Sequence, residues 1–497
     1  MSSDEGRQAA LLLLTAVAVG LLAQLLFFEV GIGINFPATL GVVVVVGWLA
    51  RPPSAPAIRP ADRWLPAAAL ILAAFVALRG DPVLVALDVL GSLALTGAAL
   101  ASFAGARVVE QSLHRLQGVG AWVLRAAAWG AVEPMETAAR AMPPGRARGR
   151  LARATPILRG LLIAIPLLLV FGLLFAAADA VFARYAEDLF RWQVEWDTLI
   201  GRSVMAFIAA WTAGGMLAFI SSRRAAQLDG VATEWWVGRP RIGTAESVTV
   251  LVALDALFAI FVVFQATYLF GGLDTLTASG LTYAEYARRG FFELLAVAFG
   301  AAGVILLLEA FVKQRSRAYV VAAIGLVALT LVVLGSAYLR LRLYQDAYGW
   351  TELRFYVLAA ILWLATGALG TVIALATNRT RWLIHGMIAL SIVFGLAFNL
   401  IGPVRFIAER NVERAVNPSL VPPDGKTGLD VYYLASLGTD ADIVLAEALP
   451  HLPPRDRAAA EAALRDNAVW RATDPEAGAW QAWTYSRERA RTLLGGL

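Results

Sequence analysis

The sequence contains no cysteine, two lysines and three histidines. The absence of cysteine excludes disulfide bonds, thiolate metal sites and a cysteine nucleophile. The histidines, His114, His385 and His451, lie in segments of different character, so no multi-histidine metal site is expected. The sequence also lacks a Gly-x-x-x-x-Gly-Lys phosphate loop, a zinc-protease motif and a Ser-His-Asp arrangement. We therefore predict no catalytic residue, no metal site and no cofactor.

Charged residues make up only 16% of the 497 positions, whereas hydrophobic residues make up 59%, outside the range of soluble domains. Apolar stretches of about 20 residues are long enough to span hydrocarbon. The sequence predicts eleven such spans, of which the second and third are short enough to be re-entrant, at 9–28, 36–50, 64–78, 82–103, 157–178, 198–222, 247–270, 289–312, 318–339, 352–376 and 382–402. The expected fold is an all-α integral membrane protein with a bundle of about 11 transmembrane helices.

Basic residues are concentrated in every second connection between these spans. The rich connections hold Arg51, Arg59 and Arg63; eight arginines between Arg107 and Arg153; Arg223, Arg224, Arg239 and Arg241; Lys313, Arg315 and Arg317; and Arg379 and Arg381. Positive loops are retained in the cytoplasm, so the N-terminus is predicted to be cytoplasmic and the C-terminus extracytoplasmic. The strong preference for arginine over lysine indicates bacterial coding bias, hence a bacterial cytoplasmic (plasma) membrane. The excess arginines lie in short loops, where membrane orientation explains the formal charge of +5. The lipid bilayer is therefore an expected partner, and no nucleic-acid partner is predicted.

Four regions follow from this layout: spans one to four in 1–103, a cytoplasmic basic loop in 104–156, spans five to eleven in 157–402, and an extracytoplasmic helical tail in 403–497. In the basic loop, Val109, Leu113, Leu116 and Val123 share one face of a helix. Such a helix lies either in the membrane interface or against the inner ends of the bundle.

The tail carries several signals for the starts of helices. Asp440 is predicted to cap one helix, Pro453 and Pro454 to open a second, and Asp474 to cap a third. Helices this short need tertiary packing, so a packed helical tail is expected, with a disordered tail as the alternative.

Segments of the second half resemble the bacterial multi-pass membrane proteins of the domain of unknown function 4173 family and its relative, the 4153 group. They are FQATYLFGG at 264–272, LTYAEYARRGFFEL at 281–294, RLRLY at 340–344 with YGWTELRFY at 348–356, and LDVYYLASL at 429–437. The resemblance implies a multi-pass membrane protein. It implies no activity, substrate, cofactor or functional residue.

Two predicted outer connections contain Gly-x-Thr immediately before a span, at 280–282 and 349–351. The pattern is typical of helix capping, because Thr282 and Glu285 have the spacing of a capping box. Alternatively, the charged residues nearby line an outer vestibule in which arginine binds carboxylate or phosphate. The substrate-binding candidates of this vestibule are Arg288, Arg289, Arg342, Arg354, Glu285, Asp346 and Glu352.

Acids inside the predicted spans are costly in hydrocarbon and are therefore also substrate-binding candidates. Asp88 lies six residues beyond Pro82, about 9 Å deep, where Arg202 or Arg354 is an expected partner. Asp255 lies near the middle of its span with no basic residue predicted at its depth. It is expected to be either a proton-relay group or a neutral, hydrogen-bonded acid.

Three functional classes fit these features. A transporter-like protein, with proton coupling through an acid such as Asp255, ranks first. A membrane signalling or scaffold protein with an extracytoplasmic tail ranks a close second, and a membrane-embedded enzyme acting on lipid-linked substrates ranks third. A deep cavity reaching Asp255 would favour transport, whereas a solid bundle with the tail docked across one face would favour a scaffold. The sequence indicates neither a substrate nor a protein partner.

Overall fold

The structure is a computed structural model, and it describes residues 3–51, 55–109, parts of 120–137, 196–221, 243–270, 291–312, 314–423, 425–473 and 478–495. These residues form α-helices joined by loops and short 3-10 turns. The helices are α1 (Ser3–Phe27), α2 (Asn35–Leu49), α3 (Leu65–Val76), α4 (Pro82–Phe103), α5 (Trp196–Ser221), α6 (Thr244–Phe270), α7 (Phe291–Phe311), α8 (Arg317–Tyr348), α9 (Glu352–Ala376), α10 (Leu383–Ile401), α11 (Pro403–Val416), α12 (Val431–Ser436), α13 (Thr439–Ala448), α14 (Pro454–Thr473) and α15 (Tyr485–Leu494).

Seven of the described helices are long and apolar enough to cross a membrane: α1, α4, α5, α6, α8, α9 and α10. The expected number of about eleven is not confirmed. α3 has 12 residues and α2 has 15, so each is shorter than the roughly 20 residues that span hydrocarbon. The predicted span at 157–178 and most of the predicted amphipathic helix of the basic loop lie outside the described residues.

The chain divides into two compact units. The first comprises residues 1–74, 92–233 and 478–482. In it, α1 packs along α5 at small residues: a Cβ on Gly20 would lie 2.6 Å from the Cβ of Ala210. Close approach of this kind is typical of helices packed within a bilayer. The core of this unit includes Val44, Leu100 and Ile220.

The second unit comprises residues 75–91, 234–477 and 483–497. Its membrane part is built around α8, a helix of 32 residues that packs against α6, α7 and α9. Leu326, Val333 and Leu341 of α8 are completely or almost completely buried in this core. The end of α8, the start of α9 and the end of α10 all meet the tail, and we call this the tail side of the unit.

The tail is folded around a hydrophobic core of its own, which includes Ile407, Leu434, Leu445 and Leu464. Trp350 and Phe355, at the start of α9, belong to the same core. The tail therefore packs directly on the tail-side ends of the membrane helices. The burial of apolar side chains supplies the stability that its short helices lack in isolation.

Two of the predicted helix starts in the tail can be compared with the structure. α14 begins at Pro454, as the two prolines indicate. The prediction that Asp440 caps a helix is wrong, because Gly438 is the N-cap of α13 and Asp440 lies within its first turn. The carboxylate of Asp440 binds other partners, described below. Asp474 lies outside the described residues.

Candidate functional site

The short connection between α3 and α4 is part of a polar region on the tail side. Asp81 directly precedes Pro82, the first residue of α4, and its Oδ1 accepts hydrogen bonds from the backbone N–H groups of Val83 (2.9 Å) and Leu84 (3.0 Å). Asp81 is thus an N-cap that stabilises the start of a membrane helix. Burial nevertheless raises the pKa of Asp81 above its usual value of 3.8, the backbone N–H groups of Leu84, Val83 and Val404 lower it in part, and the charge of Asp440 raises it.

Asp88 lies two turns further along α4 and is 2% exposed. Its partner is Asn399 of α10, which is completely buried and whose Nδ2 donates to Asp88 Oδ1 at 2.6 Å. Arg79 donates from Nη2 to the backbone carbonyl of Asn399. Neither expected partner of Asp88 is confirmed, since Arg202 lies over the ring of Phe28 and Arg354 binds at the end of α8.

Several buried polar atoms in this region have no hydrogen-bond partner. They are Arg79 Nε, Asp81 Oδ2, Asp88 Oδ2, Tyr356 OH and Asn399 Oδ1. We call these five residues the tail-side polar cluster. Buried polar groups are hydrogen-bonded in the great majority of cases, so a group of unpaired atoms is a candidate binding site. Four of the five atoms are oxygens.

Aromatic residues enclose one side of the cluster. The ring of Tyr356 contacts that of Phe398 edge-on, with centroids 5.9 Å apart. Phe355 contacts both Phe398 and Phe406, and so links α9, α10 and α11. These rings place apolar surface beside the cluster and make the unpaired polar atoms costlier to leave unsatisfied.

The tail closes over the connection that carries Arg79 and Asp81. The N–H of Gly80 donates to Asp440 Oδ2 at 3.1 Å, and Ser486 Oγ donates to Asp440 Oδ1 at 2.5 Å. Gly80 is required here, because a Cβ at this position would overlap Thr439 and approach Ser486 Oγ to 2.6 Å. The N–H of Tyr485 also donates to the carbonyl of Ala77 at 2.8 Å. We call these contacts the tail clamp.

Two of the described residues that are predicted to line an outer vestibule contact the ends of helices. Arg342 contacts Asp346 at 3.7 Å and the ring of Trp350 at 5.5 Å. Arg354 donates to the carbonyl of Gly349 at 2.5 Å and lies 4.0 Å from the centroid of Tyr344. The other predicted members, Glu285, Arg288 and Arg289, lie outside the described residues, so the vestibule as a whole stays a prediction.

The second Gly-x-Thr pattern is a helix cap. Thr351 is the N-cap of α9, and its Oγ1 accepts from the N–H of Arg354 at 3.4 Å. Glu352 follows in the first turn, and its N–H donates to the hydroxyl of Tyr433 in the tail at 2.9 Å. The first pattern, at 280–282, lies outside the described residues. The capping interpretation therefore holds for the pattern that the structure describes.

The tail also binds the end of α8. Arg414 of α11 donates to the carbonyls of Gln345 (3.3 Å), Ala347 (3.3 Å) and Asp346. These carbonyls lie in the last turn of α8, where the N–H of Gly349 also donates to Gln345 and the N–H of Lys426 to Ala347, both at 2.8 Å. Burial lowers the pKa of Arg414, and the charge of Asp346 partly offsets this effect. A guanidinium group at a helix C-terminus also complements the helix dipole.

Asp255 lies in the middle of α6 and faces α8. Its Oδ2 is 3.2 Å from the position that a Cβ on Gly325 would occupy, and its Oδ1 has no hydrogen-bond partner. A cavity of about 60 Å³ lies in the same unit between α7, α8, α9 and α10. Apolar side chains such as Ile305 and Leu364 line it, and Asp255 does not. In the described part of the unit, this cavity does not connect to Asp255.

Another acid of the second unit is paired near the end of α7. Glu309 of α7 contacts Arg315 at 2.5 Å and accepts a hydrogen bond from the hydroxyl of Tyr319 at 3.0 Å. Lys313, which lies four residues further along the chain and could also pair with Glu309, is outside the described residues. Glu309 is thus part of the packing between α7 and α8.

The residues that complete the tail-side polar cluster, Asn399, Arg79 and Tyr356, were not singled out from the sequence. Asn399 carries no charge, and its partner lies 311 residues away. One signal was available: an amide inside an apolar stretch needs a hydrogen-bond partner, as an acid does. Arg79 and Tyr356 lie near helix ends, where arginine and tyrosine are common for other reasons.

Comparison with protein-family profiles matches residues 67–448 to the domain of unknown function 4153 (DUF4153). Comparisons with curated proteins and with solved structures gave no match. Of the two related families that the sequence resembles, the 4153 group is confirmed, and the 4173 family stays a prediction. The match spans α4 to α13, including every residue of the tail-side polar cluster. The chain belongs to the domain of unknown function 4153 family of proteins.

Proposed function

We propose that this chain is a transporter-like membrane protein in which the tail-side polar cluster binds the transported solute or a coupling ion. The observation that carries the proposal is the set of five buried polar atoms without partners, between α4, α9 and α10. Unpaired buried atoms cost free energy in a structural core, whereas a binding site can use them to hold a ligand. A ligand that enters the cluster would complete their hydrogen bonds.

The tail clamp supports the same proposal. It holds the connection that carries Arg79 and Asp81 through backbone and side-chain hydrogen bonds to Asp440 and Tyr485. These are few and local contacts, so they can open without unfolding the tail. An opening of the clamp would expose the cluster on the tail side of the membrane. The orientation proposed from the arginine pattern makes this the extracytoplasmic side of a bacterial cytoplasmic membrane.

A signalling or scaffold protein is the second candidate, and two observations favour it: the tail packs on the membrane helices, and the apolar cavity of the described part does not reach Asp255. Trp350 and Phe355 are shared between the membrane helices and the core of the tail, and Arg414 caps α8. A tail fixed in this way can present a constant surface to a protein partner. The two candidates differ in whether water reaches the tail-side polar cluster from both sides of the membrane.

The absence of cysteine makes this difference measurable, since every introduced thiol is the only one in the chain. We expect Tyr356→Cys in oriented membrane vesicles to react with a membrane-impermeant thiol reagent added to either side, because a transporter exposes its site alternately. Val332→Cys is the matched control: it is 52% exposed near the middle of the predicted span of α8 and should stay unreactive in lipid. Reaction of Tyr356→Cys from one side only, or from neither, would contradict the transporter and favour the scaffold.

A further inference from the structure

Two of the unpaired oxygens belong to side chains that are already bonded to each other. Asn399 Nδ2 donates to Asp88 Oδ1 at 2.6 Å and to the carbonyl of Gly395 at 3.1 Å, so both amide hydrogens are used. Arg79 donates to the backbone carbonyl of Asn399 and not to its side chain. Asp88 Oδ2 and Asn399 Oδ1 are therefore left as two buried acceptors without a donor.

A single proton corrects both deficits. A protonated carboxyl group donates through one oxygen and accepts through the other, and a primary amide donates through its nitrogen and accepts through its oxygen. With a proton on Oδ2, Asp88 can donate to Asn399 Oδ1 while it accepts from Asn399 Nδ2, so the two groups form a cyclic acid–amide pair. The proton comes from water at the cluster and returns to water on release. No bond other than the O–H bond of Asp88 is made or broken.

The charges around Asp88 agree with a neutral pair. Asp81 and Arg79 lie close enough to interact with it electrostatically, and their charges oppose each other. On α9, Tyr356 interacts electrostatically with Asp81, Glu352 and Asp88. Glu352 is therefore a further acid near the cluster. The charge of Asp440 in the tail also acts on Asp81. Arg79 and Asp81 thus oppose each other at Asp88, and a charge on this buried carboxyl group is costly unless it is paired.

We propose that Asp88 and Asn399 form a site that binds one exchangeable proton. The binding of this proton stands on the geometry of the pair alone. Its use as the coupling ion of transport rests on the proposed function. The tail clamp, which closes over the connection before α4, would then control when the proton exchanges with water on the tail side.

The binding is tested on the purified full-length protein by infrared spectroscopy across a pH series. We expect a C=O stretching band of a protonated carboxyl group that shifts in D₂O, disappears at high pH, and is absent from Asp88→Asn. Asn399→Ala should move the band, because the acid loses its amide partner. Asp346→Asn is the control, since Asp346 is an exposed acid that contacts Arg342, and it should leave the band unchanged.

Thermal unfolding supplies a second measurement. The amide in Asp88→Asn has a donor in place of the proton, so this variant should be at least as stable as the wild type. Its fall in stability with rising pH should be smaller than that of the wild type, because only Asp81 still contributes to it. Loss of stability in Asp88→Asn at all pH values, with an unchanged set of carboxyl bands, would show that Asp88 is ionised and would overturn the proposal. Stabilisation of the wild type by Na⁺ but not by choline, without a protonated band, would assign the site to a metal ion and also overturn it.

These measurements separate the two proposals. A protonated Asp88 in a protein whose Tyr356→Cys variant is not labelled from both sides would leave the proton site intact and remove the transporter. Labelling of Tyr356→Cys from both sides together with an ionised Asp88 would keep the transporter and remove the proton site.

Discussion

At the residue scale, Asp81 combines two opposing effects in one side chain. Its Oδ1 caps α4, whereas its buried Oδ2 has no partner. Desolvation and the charge of Asp440 raise the pKa of Asp81. A raised pKa means that folding favours the protonated acid, so its contribution to stability is complete below about pH 4 and is lost as the pH rises through the folded-state value.

Replacement of Asp81 by asparagine tests this balance. Asp81→Asn keeps the capping oxygen and removes the buried charge, so we expect a gain of about 1 kcal/mol in the free energy of unfolding at neutral pH. The dependence of stability on pH between about 4 and 7 should become flatter. Thermal unfolding of the purified protein across this range measures both effects, with Asp346→Asn as the control. Lower stability of Asp81→Asn at neutral pH would show that the charge is needed for capping.

Residues differ in how far the sequence reveals their part in the site. Asp88 and Asp255 were recognisable because a charge in an apolar stretch is costly wherever the stretch packs. Their partners were not recognisable. Asp88 binds Asn399 of α10, and Asp255 faces Gly325 of α8, and neither pairing follows from local spacing. The sequence thus identified which groups need an explanation. The packing of helices supplied a hydrogen-bond partner for Asp88, whereas Asp255 Oδ1 has none among the described residues.

At the scale of elements, the contact of α11 with the end of α8 determines how the tail is held. Arg414 donates to three successive carbonyls at this end. We expect Arg414→Met to destabilise the docked tail by about 2 kcal/mol, because hydrogen bonds from a charged donor to buried acceptors are lost. Hydrogen exchange of the backbone amides of α11 and α13 should report the loss as faster exchange.

Arg410 provides the matched control on the same helix, one turn earlier. Its side chain is exposed. Among the described residues, its ion pair is with Glu413, at 2.7 Å. Surface pairs of this kind contribute little, so Arg410→Met should change the exchange rates hardly at all. Equal effects of the two substitutions would contradict a specific role of Arg414 at the end of α8.

Helix positions were predicted more accurately than helix ends and caps. The predicted spans at 352–376 and 382–402 agree closely with α9 and α10, because apolar length is a local property of the chain. α8 extends to Tyr348, nine residues beyond the predicted end at 339, since Arg414 and the tail cover its polar last turns. Asp440 was assigned as a cap from its position, but tertiary contacts with Gly80 and Ser486 use its carboxylate.

At the scale of the whole molecule, the arginine pattern predicts that the tail and the connection between α9 and α10 lie on opposite sides of the membrane. Arg491→Cys places a thiol on an exposed position of α15, and Arg379→Cys places one on the exposed connection. In intact cells, we expect an impermeant thiol reagent to label Arg491→Cys, and to label Arg379→Cys only after permeabilisation. The opposite result would reverse the orientation and place the tail in the cytoplasm.

The apolar helices and the resemblance to a family of multi-pass proteins could both be predicted from the sequence. Both properties are local: apolar length decides whether a helix can cross hydrocarbon, and short motifs carry the resemblance. The tertiary structure alone decided that Asp88 meets Asn399, that the tail clamp covers Gly80, and that Asp255 stands apart from the apolar cavity. These contacts join residues far apart in the chain, and only the packing of helices against one another brings them within hydrogen-bonding distance.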